Sequence, residues 1–433
     1  MAEIVAFSGI YYNSEKNSGR ISELLCPNLN LLDEEEIKRL RENNNNIING
    51  ILPDNTENLK FQGAVHKIYG WLLRDVFLID KAPSFYIREQ RVIIGGIEYS
   101  RFGITGLIRV EEYGKNVKRC EKMVNKEVEK QFLLLKETQF NLEPIVCLYK
   151  DSSDEIIQKI KSHIDKEKVL FEYKDYNGYK NIIYKMDNKE FFKELESMFV
   201  DKPLYVIEGQ DAYEAGVKYR NEMKKSKGDK YTGKEAFNYV RVELFNAFDR
   251  YLKLLPVNRV IKSLRKNPVD LIKSLTQKFK VAALNISDSN TEKLARKKIR
   301  KLLDDNLAKG ILSYGLYFKA IPNKYFLLSS NYSEGLELSD VEFLEKNILR
   351  PIFLMNDADI ENEIRYAFSD NKAYNYIKEK DYSVAFILNG FNIYKLLDYC
   401  DRGNLLPVYS TLLSPYTMKG VISYSHRYSK IST

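Results

Sequence analysis

The chain has 433 residues, 44% of them hydrophobic and 30% charged, a profile that excludes a wholly disordered protein and leaves room for two cores. A formal net charge of +8, from 68 basic against 60 acidic residues, is mild for this length and does not by itself call for nucleic acid. Three histidines (His66, His163, His426) and four cysteines (Cys26, Cys120, Cys147, Cys400) lack metal-ligand or CxxC spacing, which excludes zinc ribbons, thioredoxin-like motifs and a disulfide framework.

Residues 1–16 lack a cationic start followed by an apolar stretch, so no signal peptide is expected. Apolar runs such as residues 384–388 are strand-sized, short of the roughly 20 residues a membrane helix needs. A cytoplasmic protein with no membrane partner is the expectation.

In chain order, residues 34–43 read as a polar helix and residues 60–76 as a helix with Val65, Ile68, Trp71 and Leu72 on one face. Residues 85–94 and 97–110 are β-rich and joined by Gly95-Gly96, a two-residue hairpin turn. Residues 121–138 return to helix, with Val124, Val128, Phe132 and Leu135 spaced for burial, and residues 154–164 form another. A second hairpin joins residues 169–173 to 181–185 across Asn177-Gly178. Helix 191–199, a short buried strand 204–207, helix 213–223 and strands 237–245 and 252–256 follow. Beyond Pro256 the chain turns basic and helical. A strand pair, 311–319 with 325–329, turns at Pro322-Asn323, and helices near 340–347 and 392–400 flank strand 384–389. Strands and helices mix without strict βαβ alternation, so the fold class is α+β (mixed α/β) with mostly antiparallel strand pairs and flanking helices. Two domains are expected: residues 1–255, an N-terminal α+β domain carrying the motif segments, and residues 256–433, a basic-helical and α+β region.

Positive charge concentrates in that second region, at Arg259, Lys262, Arg265, Lys266, Lys273, Lys278 and Lys280, then at Lys293, Arg296, Lys297, Lys298, Arg300 and Lys301. A phosphate-tracking patch would interleave several aromatic rings for stacking, and only Phe279 stands among these charges. An amphipathic helix explains them instead, with Leu294, Ile299, Leu302 and Leu303 as its buried stripe and Ser289 with Glu292 as its capping box. A nucleic-acid partner is therefore not expected.

Two motifs reduce to ordinary local structure. Gly228 to Lys234 fits GxxxxGK, but Glu235 stands where a P-loop needs a hydroxyl for magnesium, and no buried strand precedes it. Asp357-Ala358-Asp359 reads as the acidic first turn of a helix capped by Asn356 or Asp357. Glu208-Gly209-Gln210-Asp211 is more informative. It follows strand 204–207 and opens a helix, a generic place for an anion or a catalytic carboxylate.

The chain resembles, from Ala2 to about Tyr424, the bacterial and archaeal family called domain of unknown function 1015. The resemblance runs through Asn46-Ile47-Ile48 to Leu52-Pro53, Thr138 with Asn141 and Pro144-Ile145, Pro203-Leu204-Tyr205 before Glu208-Gly209, Asn238-Tyr239-Val240 before Pro256, and Leu406-Pro407 with Ser410-Thr411. The family's polar signatures are mostly altered. Pro27-Asn28-Leu29-Asn30 replaces Pro-Pro-Tyr-Asp, Asn49 replaces an arginine, and Cys120-Glu121-Lys122-Met123 replaces His-Glu-Arg/Lys-Thr. Lys130-Gln131 replaces Asp-Arg, and Tyr409 replaces a lysine. The segment Glu208 to Glu214 replaces Asp-Gly-His-His-Arg-Tyr-Glu, and Pro256-Val257-Asn258-Arg259 replaces Pro-Thr-His-Arg.

The family's intact Asp-Gly-His-His-Arg box is similar to boxes in ParB- and sulfiredoxin-like proteins, which include nucleotide binders and free-serine kinases. The resemblance implies catalytic carboxylates at Glu121 and Glu208, with ligand contacts at Lys122, Gly209, Asp211, Tyr213 and Arg259, and no metal ligand. With so many signatures lost, it implies a catalytically degenerate protein that binds a small-molecule ligand or an intact paralogue. The alternative is a nucleotide-dependent small-molecule kinase, with ATP or another phosphate donor as cofactor, working through Glu121, Lys122, Glu208 and Arg259. Whether the protein is an enzyme stays open at this level.

Overall fold

The computed structural model describes residues 3–53, 60–164, 168–330 and 339–432. Gly95 and Gly96 take φ of 59° and 83°, left-handed conformations that a tight hairpin turn needs and glycine reaches without steric penalty. The strands they join pair from Ile94↔Ile97 out to Tyr86↔Thr105. This hairpin is the middle of a nine-stranded sheet made of β1 (Ile4–Val5), β2 (Phe85–Ile94), β3 (Ile97–Arg109), β4 (Val117–Arg119), β5 (Ile145–Tyr149), β6 (Val169–Lys174), β7 (Lys180–Met186), β8 (Leu204–Glu208) and β9 (Tyr239–Asn246). Its order is β4-β8-β5-β9-β3-β2-β7-β6, with β1 also paired to β3. Most pairs are antiparallel; β4–β8 and β5–β9 are parallel.

The chain divides into two compact units: Met1–Leu252 with Ile393–Leu405 and Leu413–Thr433, and Lys253–Asn392 with Leu406–Leu412. In the first, helix α1 (Glu34–Glu42) is capped by Asp33, and α2 (Gln62–Leu73) buries Ala64, Ile68 and Trp71. On one sheet face Ile87, Ile104, Ile108, Val240, Val242 and Leu244 share a core with Tyr213, Ile156 and Ile160, and with Phe191, Leu195 and Phe199. The last residues lie on α4 (Glu155–His163) and α5 (Lys189–Phe199), which follow α3 (Asn125–Thr138). Each such apolar side chain, fully buried, contributes about 1.5–3 kcal/mol. The opposite face meets Trp71, Phe77, Met418, Ile422 and Tyr424 in a second core.

Helix α3 begins at Asn125, later than the periodicity predicts, and Val124 and Val128 are only half-buried; Phe132, Leu134 and Leu135 carry its burial. Glu121 is thereby left outside the helix. The helix after β8 is longer than predicted, α6 (Gln210–Lys227).

The second unit has a wholly antiparallel six-stranded sheet with flanking helices. Its strands are β10 (Asn258–Ile261), β11 (Phe279–Asn285), β12 (Ser313–Phe318), β13 (Lys324–Ser330), β14 (Ile364–Ala367) and β15 (Val384–Ile387), in the order β11-β13-β12-β15-β10-β14. The stretch expected to be helical after Pro256 therefore contains two strands, β10 and β11, besides α7 (Pro268–Leu275) and α8 (Ser289–Ala308). On one face Leu271, Leu275 and Phe353 join the core; on the other, Ala295, Ile299 and Leu303 of α8 meet Tyr374 and Ile377 of α9 (Asp370–Glu379).

Helix α8 is amphipathic, but its details differ from expectation. Its cap is Asp288, whose carboxylate accepts from the Asn290 and Thr291 amides, with Thr291 completing the capping box. Glu292 is freed for Arg296, Tyr325 and Lys378. Leu294, expected in the buried stripe, is instead 65% exposed, and Ala295 lies in the core. The segment 228–234 forms a short 3-10 turn and exposed loop, and Asn356 caps the acidic helix Asp357–Glu363. No helix among the described residues is long and apolar enough to cross a membrane.

Lys297 and Lys298 are exposed on α8, so replacing both with Glu should move the unfolding free energy by no more than about 0.5 kcal/mol. Ile299→Ala, one residue on and 1% exposed, should cost about 2–5 kcal/mol. Urea unfolding of the two variants compares the faces directly.

Candidate functional site

Strand β8 ends where Gly209 takes φ 76° and starts α6 as its N-terminal flanking residue. A Cβ built on Gly209 would sit 2.5 Å from the Pro144 carbonyl oxygen, so glycine is required here for both conformation and close approach. The turn presents Glu208, with Asp211 in the first helical turn.

Glu208 Oε1 accepts from the Leu413 amide at 3.1 Å and Oε2 from the Thr417 hydroxyl at 3.2 Å. Burial pushes its pKa up to about 7; those two donors oppose the shift, while the Glu243 carboxylate adds to it and Arg101 works against it. Glu121 lies two residues beyond the end of the neighbouring strand β4. Strands β4 and β8 pair in parallel as Val117↔Leu204, Lys118↔Tyr205 and Arg119↔Val206, so Glu121 and Glu208 each lie two residues past the last pair, at the same end of neighbouring strands. Glu121 is buried and Lys122 exposed. Tyr213 is wholly buried; its hydroxyl donates to the Glu111 carbonyl at 2.9 Å and accepts from the Glu111 amide at 3.2 Å. Burial raises the Asp211 pKa.

Arg259 belongs to the second unit. It donates to the Val257, Tyr409 and Val408 carbonyls at 2.7, 2.9 and 3.1 Å, with its guanidinium 4.7 Å from the Tyr366 ring centre. Gln131 and Ala212, positions where the family resemblance expects arginines, line one recess with Asn141 and Glu143. Its volume of about 20 Å³ is that of a single water. Burial raises the Cys120 pKa, as does its neighbour Cys400, which favours the protonated thiol. Although burial opposes it, Lys118, Lys150 and the Tyr205 hydroxyl hold Asp401 down to about 2, which ties helix Ile393–Asp401 to the sheet.

Sequence reasoning missed a buried polar patch beside Glu208. Arg88 and Gln90 on β2, Arg101 on β3, and Arg241 with Glu243 on β9 all alternate onto the same sheet face. Glu208 joins them by pairing with Val146, itself the partner of Glu243. Arg88 Nε lies 2.7 Å from Glu243 Oε1. The available signal was period-two spacing of charge, Arg241-Val242-Glu243, inside strands otherwise rich in buried residues.

A family profile described as Protein of unknown function (DUF1015) matches residues 4–398. No curated protein matches the chain. Among solved structures, the chain is similar to a conserved hypothetical protein from Pyrococcus furiosus, at 12% identity and TM-score 0.36, over 73% of this chain and 97% of that one. It is similar to a free serine kinase in complex with AMP, at 12% identity and TM-score 0.33, over 70% and 89%. It is also similar to a C-terminally truncated SbnI from Staphylococcus aureus, at 9% identity and TM-score 0.35, over 73% and 85%.

Glu208 holds its proton more tightly in the folded chain than a free glutamate, whose pKa is about 4.3. Stability should therefore fall as pH rises from about 4.3 through about 7 on account of this group. Glu208→Gln removes that dependence, so the melting-temperature difference between variant and parent should be small near about pH 5 and favour the variant near about pH 8; a difference that stays constant refutes the assignment. Gly209→Ala should destabilise by on the order of 2–3 kcal/mol in the same melts.

Proposed function

The chain belongs to the family described as Protein of unknown function (DUF1015), and within it we propose a binding role: the protein holds a small metabolite in its first unit without transforming it. The observation that carries this reading is where the retained signature side chains are engaged. Both Glu208 oxygens accept from the protein's own Leu413 and Thr417, and the Tyr213 hydroxyl bonds both ways to the Glu111 backbone. Arg259 donates to three backbone carbonyls.

Phosphoryl transfer needs cations directed at the phosphates and a carboxylate open to the acceptor or a metal. Each missing charge-assisted bond removes about 1.5–3 kcal/mol, and Gln131, Gln210 and Ala212 hold none of the family's cations.

A second reading, a nucleotide-dependent kinase acting on a small hydroxylated metabolite, has one observation in its favour. Glu208 with a pKa of about 7 has the value a general base needs at neutral pH. Purified full-length protein incubated with ATP, magnesium and free serine separates the two. The binding reading expects no serine-dependent ADP formation above the protein-free control. Turnover that disappears in Lys122→Ala would overturn it in favour of the kinase.

A further inference from the structure

The face of the first sheet that bears Arg88 and Arg101 carries charge where its neighbours carry hydrocarbon. Tyr86, Leu107 and Ile183 occupy the same face and belong to the second core. Between them Arg88, Arg101 and Arg241 are 2%, 1% and 3% exposed. Buried guanidinium groups keep their protons and need a counter-charge or a full set of acceptors. Four carboxylates stand near the arginines: Asp249, within electrostatic range of Arg101, and Glu243, Asp175 and Glu208. Glu243 lies against Arg88. Asp175 accepts from Gln90, Asn181 and the amides of Asn177 and Tyr179. Glu208 accepts from Leu413 and Thr417.

Arg101 itself hydrogen-bonds only to neutral oxygens. Its Nη2 donates to Gln90 Oε1 at 2.7 Å and to the Pro415 carbonyl at 3.1 Å. Its Nε and Nη1 are buried with no hydrogen-bond partner among the described residues; Arg241, paired with Leu107, stands six residues further along β3. The Phe245 ring is flanked by Arg101 and Arg88, whose guanidinium carbons lie 4.6 and 5.0 Å from its centre. Burial first and the like charge of Arg88 second push the Arg101 pKa down to about 9, against the opposing pull of Asp249, Glu243 and Asp175.

We propose that Arg88 and Arg101 form a buried receptor for one phosphate group, which takes the unpartnered donors of Arg101 against the Phe245 ring. Forked N–H pairs match a tetrahedral oxyanion, and that fit is the reason arginine rather than lysine serves such sites. The inference rests on the binding reading above and names the chemistry of its ligand. Two sources share that chemistry, free inorganic phosphate and a small phosphomonoester.

The test uses the full chain, dialysed free of phosphate, with inorganic phosphate and glycerol 3-phosphate as probes and potassium chloride at matched ionic strength as control. Calorimetry and melting curves should show saturable binding of at least one probe and a rise in melting temperature beyond the chloride effect. Binding of the ester identifies a ligand phosphate, and binding of inorganic phosphate alone identifies the free ion; both uphold the site. Arg101→Gln should weaken the affinity at least ~10-fold and Arg101→Lys less, because the ammonium restores charge without the fork. If the Gln variant does not fold, phosphate released on denaturing the undialysed parent replaces it, with about one equivalent expected. Absence of both release and saturable binding, or equal affinity in a folded Arg101→Gln, overturns the inference. Failure of the binding reading shows separately, as ATP turnover with serine.

Discussion

Strand alternation is the constraint on which the first unit's whole arrangement depends. Once β2, β3 and β9 are in register, every second residue is committed to one face. Ile87, Ile104, Val242 and Leu244 go to the helix-covered side. Arg88, Arg101, Arg241 and Glu243 then have nowhere else to go but the other side. A slip of one residue in β9 would bury Arg241 and Glu243 against Ile156 and Leu195 and turn Val242 toward the arginines. The apolar pattern on one face and the charge on the other therefore specify the same register twice.

The residues that this chain keeps from its family are largely those the fold itself needs. Asn46 donates to the Glu23 and Leu25 carbonyls and accepts from the Ile48 amide. The Thr138 hydroxyl closes the end of α3 on Leu134 and Phe140. Asn141 accepts from the Arg241 amide, and Pro144 abuts Gly209. Each of these hydrogen bonds satisfies a backbone group that, left unpaired in the interior, would cost about 1–3 kcal/mol. Persistence of a signature thus argues for persistence of its chemistry only where the side chain is not already engaged by the backbone.

Local chemistry made much of the fold legible. Gly95-Gly96 and Asn177-Gly178 announce their hairpins, and Gly209 announces the turn after β8, because positive φ confines the choice of residue. What stayed hidden depends on long-range pairing. Strand β11 carries Lys280 among exposed residues and reads as part of a basic helical stretch, although its partner β13 lies some forty residues on, beyond α8. The cap of α8 was misplaced by one residue because Asp288 and Ser289 both suit the position; the carboxylate reaches two amides. The candidate site divides the same way. Glu208-Gly209 is visible as a local pattern, whereas the arginine patch is assembled from three strands, and a charged residue in a strand reads by default as solvent-facing.

The segment after Leu412 links these themes, since it meets the sheet through polar groups of the patch itself. Leu413 and Thr417 donate to Glu208, and Pro415 accepts from Arg101. A carboxyl short of solvation and a guanidinium short of hydrogen-bond partners thus share one covering segment. Hydrogen bonds to charged groups are worth about 1.5–3 kcal/mol each, so the attachment of this segment is tied to the charge state beneath it. Deprotonating Glu208 strengthens the two bonds it accepts while adding a charge beside Glu243; an anion drawn to Arg101 raises that same repulsion and favours the protonated carboxyl. Ligand charge, the proton on Glu208 and the seating of residues 413–417 are therefore linked quantities in this fold, and none of the three is set independently of the others.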